Sequence, residues 1–358
     1  MNFDFADEAP KLAMLLYGVV AFVAVVGGLL LLLDVVPARL ARRRQARLAR
    51  RRQARLAAAA AAGTPLEPGR RRSREGLFAL FFLLPTVLML GIGLIIPAIR
   101  TLVLSLKNGD STQWVGLRNY GWMVDRPEIV DILWNTALWV LLVPLLATSV
   151  GLIYAVLVDR ARLEALAKSL IFLPMAISFV GAGIIWKFVY AFRPAEADQI
   201  GLLNQIWVWV GGEPQQWLSN PPLNTLLLIV VMIWIQAGFA MVVLSAAIKA
   251  IPTDMIEAAR IDGVNAWQQF WRITLPGIRP ALIVVVVTIS IATLKLFDVV
   301  RTMTNGNFNT NVIATEMYNQ AFRYGQTGQG SALAVVLFIL VIPIVIYQVR
   351  NLRRQREV

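Results

Sequence analysis

The chain offers little for covalent chemistry. Its 358 residues include no cysteine and no histidine, which removes disulfides, thiolate nucleophiles, imidazole bases and the usual zinc ligands. The nearest grouping of acids, Asp125, Glu128 and Asp131, is what a metal site or an acid–base pair at a membrane face would use, yet it reads more simply as a solvated helix start. No stretch has the form G-x-x-x-x-G-K-[ST], so no phosphate-cradling loop is encoded, and any ATP chemistry must come from a partner. Lys295 and Asp298 stand inside an apolar run at a spacing that permits an i, i+3 ion pair. Counted from Pro280 at the helical rise, they fall about 22–27 Å along that run, near its far end. A structural or gating ion pair close to water is the expected role.

A second stretch is chemical in another sense. "EAARIDGVNAWQQFWRITLP" at 257–276 interrupts two long apolar segments with charges, a glycine and aromatic residues. Asp254 followed by Glu257 has the form of a capping box, and Gly263 is a natural helix stop. Asn265 with Gln268 repeats the capping pattern, and Trp267, Phe270, Trp271 and Thr274 recur at helical spacing until Pro276 ends the element. The expected product is a helix–glycine–helix unit whose aromatic side packs on the protein body and whose polar side faces the cytosol, shaped to be gripped. The alternative is an amphipathic helix lying on lipid, which would not require both caps, the glycine and the Leu-Pro at fixed spacing.

The elements that hold these residues are membrane spans. Hydrophobic residues make up 58% of the chain and the mean hydropathy is +0.65, above what an ordinary soluble domain carries. Seven runs are long enough to cross about 30 Å of hydrocarbon: 12–36, 77–99, 132–158, 169–192, 223–247, 280–300 and 331–349. Arginine and lysine cluster at 39–74, 160–168, 249–279 and 350–356, and 194–224 carries none. The positive-inside rule then puts the clusters in the cytoplasm, the N-terminus outside and the C-terminus inside. Asp4, Asp7 and Glu8 stand where a signal peptide would carry basic residues, so the first run is expected to be an anchor. After it, "RLARRRQA" occurs twice in succession from Arg39; a charged topology stop and linker accounts for it more simply than a surface for anionic lipid or RNA. The expected layout is an all-α polytopic membrane protein: an extra N-terminal helix at 1–38, a cytoplasmic arginine-rich linker at 39–76, a six-helix core at 77–350 with its loop at 251–279, and a basic tail at 351–358.

At this point the sequence resembles a known family, the permease subunits of binding-protein-dependent ABC importers. The family signature is EAA, three residues, glycine, nine residues, isoleucine, one residue, leucine, proline. Glu257, Ala258, Ala259, Gly263, Ile273, Leu275 and Pro276 match it without departure. "VGLRNY" at 115–120, "WNTALW" at 134–139, "FLPMAISFVGAGIIWKFVY" at 172–190 and "KLFDVV" at 295–300 look like the sugar-import branch, near the α-glucoside and maltose-type permeases. The resemblance covers residue 77 to the C-terminus and leaves out the first run and the arginine repeat. It implies a type I importer permease core and half of a translocation pore. The implied partners are a second permease, two ATPase subunits, which bind ATP and magnesium, and an external sugar-binding protein. No cofactor on this chain, no nucleic acid and a bacterial or archaeal cell membrane are expected. It also implies that the loop couples to the ATPase. Gapless alignment of "WIQAGFAM" and "SIATLKLF" places Trp234, Gln236, Gly238 and Met241 on one lining of the sugar path, with Thr293 and Leu296 on the other. Two rival classes have less behind them: an ion-coupled secondary transporter would need embedded acids beyond Asp298, and a lipid-linked glycosyltransferase would need clustered acids at a membrane face.

Overall fold

The computed structural model describes residues 74–159 and 163–356. The expected first span and the arginine repeat lie outside these residues, as does nearly all of the linker. The chain divides into units 1–83 and 84–358, and the architecture below is that of the second.

Arg74–Leu90 is α1, followed by a π turn at Gly91–Ile95 and α2 (Ile96–Ser105). A short α3 (Arg118–Asp125) precedes α4 (Pro127–Val158), whose entry carries the exposed Asp125, Glu128 and Asp131. Then come α5 (Glu164–Phe172), α6 (Phe179–Val189), α7 (Leu202–Trp209) and the long α8 (Leu223–Lys249). Beyond α8 are α9 (Thr253–Ile261), α10 (Ala266–Gln269), α11 (Leu275–Gly277), α12 (Arg279–Leu294), α13 (Asp298–Met303), α14 (Ile313–Tyr318) and α15 (Thr327–Arg356). Among the described residues the secondary structure is helical apart from one isolated bridge between Lys107 and Trp114.

Four helices are long and apolar enough to cross a bilayer: Phe82–Ser105, Pro127–Val158, Leu223–Lys249 and Thr327–Asn351. Two bent pairs, Glu164–Ala176 with Phe179–Val189 and Ala266–Gly277 with Arg279–Leu294, bring the candidate spans to six if each pair counts as one. The run expected as one span at 169–192 is broken. Pro174 lies in a 3-10 turn at Leu173–Ala176, Ile177 is extended, and Ser178 restarts the helix by accepting the Gly181 amide at 3.0 Å. The two halves meet at 101°. The run expected at 280–300 stops at Leu294, so its last residues belong to a separate element.

The core runs along the seam between α4 and α8. On α4, Trp139, Val143, Ala147, Gly151 and Ala155 recur every fourth residue and are all buried, the stripe expected of one helix face. A Cβ on Gly151 would stand 2.4 Å from that of Ala240, which shows how closely the two backbones approach. Val285 and Ile289 of α12 close the same core. Polar side chains tie the bundle to the loop between α13 and α14. Asn135 donates to the carbonyls of Asn309 at 2.7 Å and Asn311 at 3.3 Å, Asn224 donates to that of Phe308 at 2.8 Å, and the Ile313 amide donates to Thr136 Oγ1 at 3.0 Å. That loop holds Asn305, Phe308 and Asn309 at φ of 58°, 55° and 58°, a conformation side chains seldom adopt unaided.

Candidate functional site: the coupling loop and the lining helices

The loop between α8 and α12 keeps its helix–glycine–helix form, with changes at both ends. The expected Asp254–Glu257 capping box does not form. Pro252 occupies the cap position at φ −55°, ψ 131°, so Asp254 and Glu257 both fall inside α9, a turn apart. The exit of α9 follows the expectation closely: Gly263 has φ +76°, its amide donates to the Arg260 carbonyl at 3.1 Å, and the Val264 amide reaches back to Ala259 at 3.0 Å. Asn265 and Gln268 make the reciprocal box, with Oδ1 accepting at 2.9 Å and Oε1 at 3.1 Å. Pro276 does not end the element. A π turn at Phe270–Thr274 carries the helix on, Pro276 sits in the first turn of α11 where its missing amide costs nothing, and the chain bends by 67° at Ile278.

The buried residues of the loop are Ala259, Thr274 and Ile278, Phe270 is half-buried, and the two tryptophans are exposed. Trp267 is 71% exposed and Trp271 49%, with their rings 5.5 Å apart. Met255 and Ile261 of α9 are exposed as well. The expectation that the aromatic side faces the body holds for Phe270 and Thr274 and fails for Trp267 and Trp271: at 5.4 Å per turn α9 and α10 are too short to bury both faces, and the smaller residues take the inner one. Glu257, Ala258, Gly263 and Pro276 are exposed, Ile273 and Leu275 half-buried. Exposed apolar side chains and an exposed carboxylate, on a loop held by the Gly263 exit and the Asn265–Gln268 box, are what a docking surface would require.

At the root of the loop lies an ion cluster the sequence reading missed, although Glu164 and Lys168 stand at i, i+4. Lys168 Nζ donates to Asp159 Oδ1 at 2.6 Å, to Glu164 Oε1 at 2.7 Å and to Ser245 Oγ. Ser245 donates to Asp159 at 2.7 Å, and Lys249 pairs with Glu164. The ends of α4 and α5 are thus bonded to the last turn of α8, which leads directly into the loop.

The expected lining residues are distributed less simply. On the unbroken helix α8, Trp234, Gly238 and Met241 share a face, whereas Gln236 lies two residues, or about 200°, from Trp234. Trp234 is half-buried, edge-on to Trp186 of α6 at 5.6 Å. A Cβ on Gly238 would meet the main-chain oxygen of Ile171 at 2.5 Å, so this glycine accommodates the broken α5. Met241, Thr293 and Leu296 are buried, and the Thr293 hydroxyl donates to the Ile289 carbonyl at 2.8 Å. Gln236 is buried with no hydrogen-bond partner among the described residues. Lys295 and Asp298 form no ion pair among the described residues. The helix breaks at Lys295–Phe297, Phe297 adopting φ −127°, ψ −51°, so the i, i+3 relation that would pair them is lost and Asp298 opens α13.

Residues 147–356 match the model of the family described as binding-protein-dependent transport system inner membrane component. The chain is 50% identical over 276 residues to the osmoprotective compounds uptake permease protein GgtC of Synechocystis, covering 77% of this chain and 99% of that one. It is also 50% identical over 275 residues to the alpha-glucoside transport system permease protein AglF of Rhizobium meliloti, covering 76% and 82%. Among solved structures, a bacterial ABC transporter involved in the import of the acidic polysaccharide alginate superposes with a TM-score of 0.68 at 22% identity, covering 78% of this chain and 96% of that one, a likeness of fold.

Proposed function

The chain belongs to the family of binding-protein-dependent transport system inner membrane components, and from that premise we propose that it forms half of the translocation pore of an ATP-driven importer for an α-linked di- or oligosaccharide. The observation that carries the substrate class is the 50% identity to an alpha-glucoside permease over most of both chains. The relative of equal identity takes up osmoprotective compounds, and a small α-glucoside that also serves as an osmoprotectant satisfies both resemblances.

In the proposed orientation the coupling loop faces the cytoplasm with the C-terminus, and the N-terminus is outside. Trp267, Trp271, Met255 and Ile261 enter a cleft on an ATPase subunit, where Glu257 meets a basic or polar group. ATP and magnesium belong to that subunit and its twin. Closure of the ATPase pair draws this loop toward that of a second, non-identical permease. The cluster of Lys168, Asp159, Glu164, Ser245 and Lys249 passes the displacement into α4 and α5, tilting the spans from inward-facing to outward-facing. An external binding protein delivers the sugar. Along the path, Trp234 offers an aromatic face, Gln236 an unengaged amide and Thr293 a hydroxyl, while Gly238, Met241 and Leu296 shape the wall.

Reconstitution with the partner permease, the ATPase and the binding protein tests this. ATP-dependent, saturable uptake of α-linked glucosides is expected, with β-linked isomers poorly taken. Uptake confined to zwitterionic osmolytes would overturn the substrate class.

A further inference from the structure

Facing away from the coupling loop, α12 ends after 16 residues at Leu294 and the chain crosses Lys295–Phe297 before α13. Phe297 begins a row of rings there: its centroid lies 5.2 Å from that of Tyr318, which lies 5.4 Å from that of Phe322. Arg301, one turn after Phe297, sets its guanidinium over the Tyr318 ring at 5.3 Å and reaches Asn319 Oδ1 at 3.4 Å. The row is open, with Phe322 76% exposed and Tyr318 37%. Beneath it the backbone is held by the buried Glu316 carboxylate, which accepts from Asn311 at 2.7 Å and from Gln320 at 2.6 Å.

Three environments could explain exposed rings at this end of a span. A lipid-facing belt would carry rings without a half-buried carboxylate, and Asp298 stands beside Phe297 with no ion-pair partner among the described residues. A subunit contact would be expected to bury apolar side chains away from free charge, whereas Lys295 is exposed within the same turn. A pyranose ring asks for what is present: flat apolar faces for its C–H groups, a guanidinium to donate to its hydroxyls and a carboxylate to accept from them.

We propose that Phe297, Tyr318 and Phe322, flanked by Arg301 and Asp298, form an outer docking subsite that receives a saccharide before it reaches the lining of α8 and α12. The inference rests on the sugar-import reading. It adds a place outside the buried lining where successive units of an α-linked chain stack, so longer saccharides engage the row more fully than disaccharides.

The test uses the full complex in nanodiscs. Phe322→Trp supplies a fluorophore at the end of the row, titrated with an α-linked trisaccharide in the absence of binding protein. Saturable quenching is expected, weakened about tenfold when Tyr318→Leu is added and restored by Tyr318→Phe. Glycerol at the same concentration should leave the signal unchanged. In transport, Tyr318→Leu should reduce trisaccharide uptake per ATP more than disaccharide uptake, at equal assembly. Absence of sugar-dependent quenching, or unchanged uptake of both saccharides, would overturn the subsite. So would loss of assembled complex in Tyr318→Leu, which marks a subunit contact, or an equal shift in the binding-protein concentration that stimulates the ATPase with and without sugar, which marks a protein-docking surface. Failure of the unaltered complex to import any saccharide is a separate result, and it would overturn the sugar reading itself.

Discussion

Gly263 in the coupling loop has nothing within 4 Å of where a Cβ would stand, whereas Gly238 in α8 would place one 2.5 Å from the carbonyl oxygen of Ile171. The first glycine is required by its own backbone, held at φ +76°. The second is required by a neighbour 67 residues earlier in sequence. The loop is therefore built from contacts within a few residues, and the lining from contacts that exist only after the broken span has folded against α8. In the proposed function the roles divide the same way: the loop would present a preformed shape to a partner, and the lining would set the space left inside the bundle.

The sharpest way to break this contrast is to substitute each glycine. Gly263→Val should abolish uptake while leaving the amount of assembled permease unchanged, because the penalty of about 1–2 kcal/mol for a left-handed side chain falls on the docking surface alone. Gly263→Asn, which tolerates that conformation, should retain most uptake. Normal uptake by the valine variant with the ATPase still bound would show that the loop's shape is not what couples. Gly238→Ala should do the opposite, lowering the yield of assembled complex through overpacking of about 1–3 kcal/mol. If that variant assembled fully and only its sugar preference changed, Gly238 would belong to the sugar path.

Smaller effects sharpen the boundary between the regions. Lys168→Met leaves the carboxylates of Asp159 and Glu164 with Lys249 as their remaining cationic partner and should lower the melting temperature of the purified complex in detergent. An unchanged melting temperature would remove the cluster as a brace. Gln236→Ala and Thr293→Val should alter uptake kinetics or sugar preference with assembly unchanged. The Thr293 hydroxyl already bonds within its own helix, so its removal should not loosen packing. Reduced assembly in either variant would make these residues interhelical ties. Lys295→Met should change neither stability nor assembly, since no ion pair holds the side chain; a lower melting temperature would reinstate the Lys295–Asp298 pair.

How far the sequence could be read follows from the same division. Gly263 and the Asn265–Gln268 box were legible because each is satisfied within six residues. The four unbroken spans were legible because hydropathy needs no knowledge of neighbours. At Asp254 the capping pattern misled, since Pro252 had already taken the cap and pattern alone does not say which residue enters the helix first. The break after Phe172 had its signals in Pro174 and in Ser178 three residues before Gly181, but a continuous apolar run hid them. Lys295 and Asp298 were misjudged for the converse reason: their pairing assumed an uninterrupted helix, and the packing of α13 against α6, with Gly183 close under Thr302, puts the interruption between them. Tertiary contact, not local propensity, decides at such places.

The three side chains that grip the loop between α13 and α14 carry a mechanical consequence. Asn135 and Thr136 reach it from α4, Asn224 from α8, and between them they hold its main chain at residues 308, 309, 311 and 313. Any relative rotation of these two helices at that end must break these hydrogen bonds, of which the Ile313–Thr136 bond is buried and the others partly so. They are therefore expected to travel as one rigid body, which leaves the 101° break before α6 and the 67° bend before α12 as the places where the bundle should hinge. Amide hydrogen exchange reads this directly: the Ile313 amide should stay protected through turnover, while amides around Ile177 and Ile278 exchange faster whenever ATP is being hydrolysed.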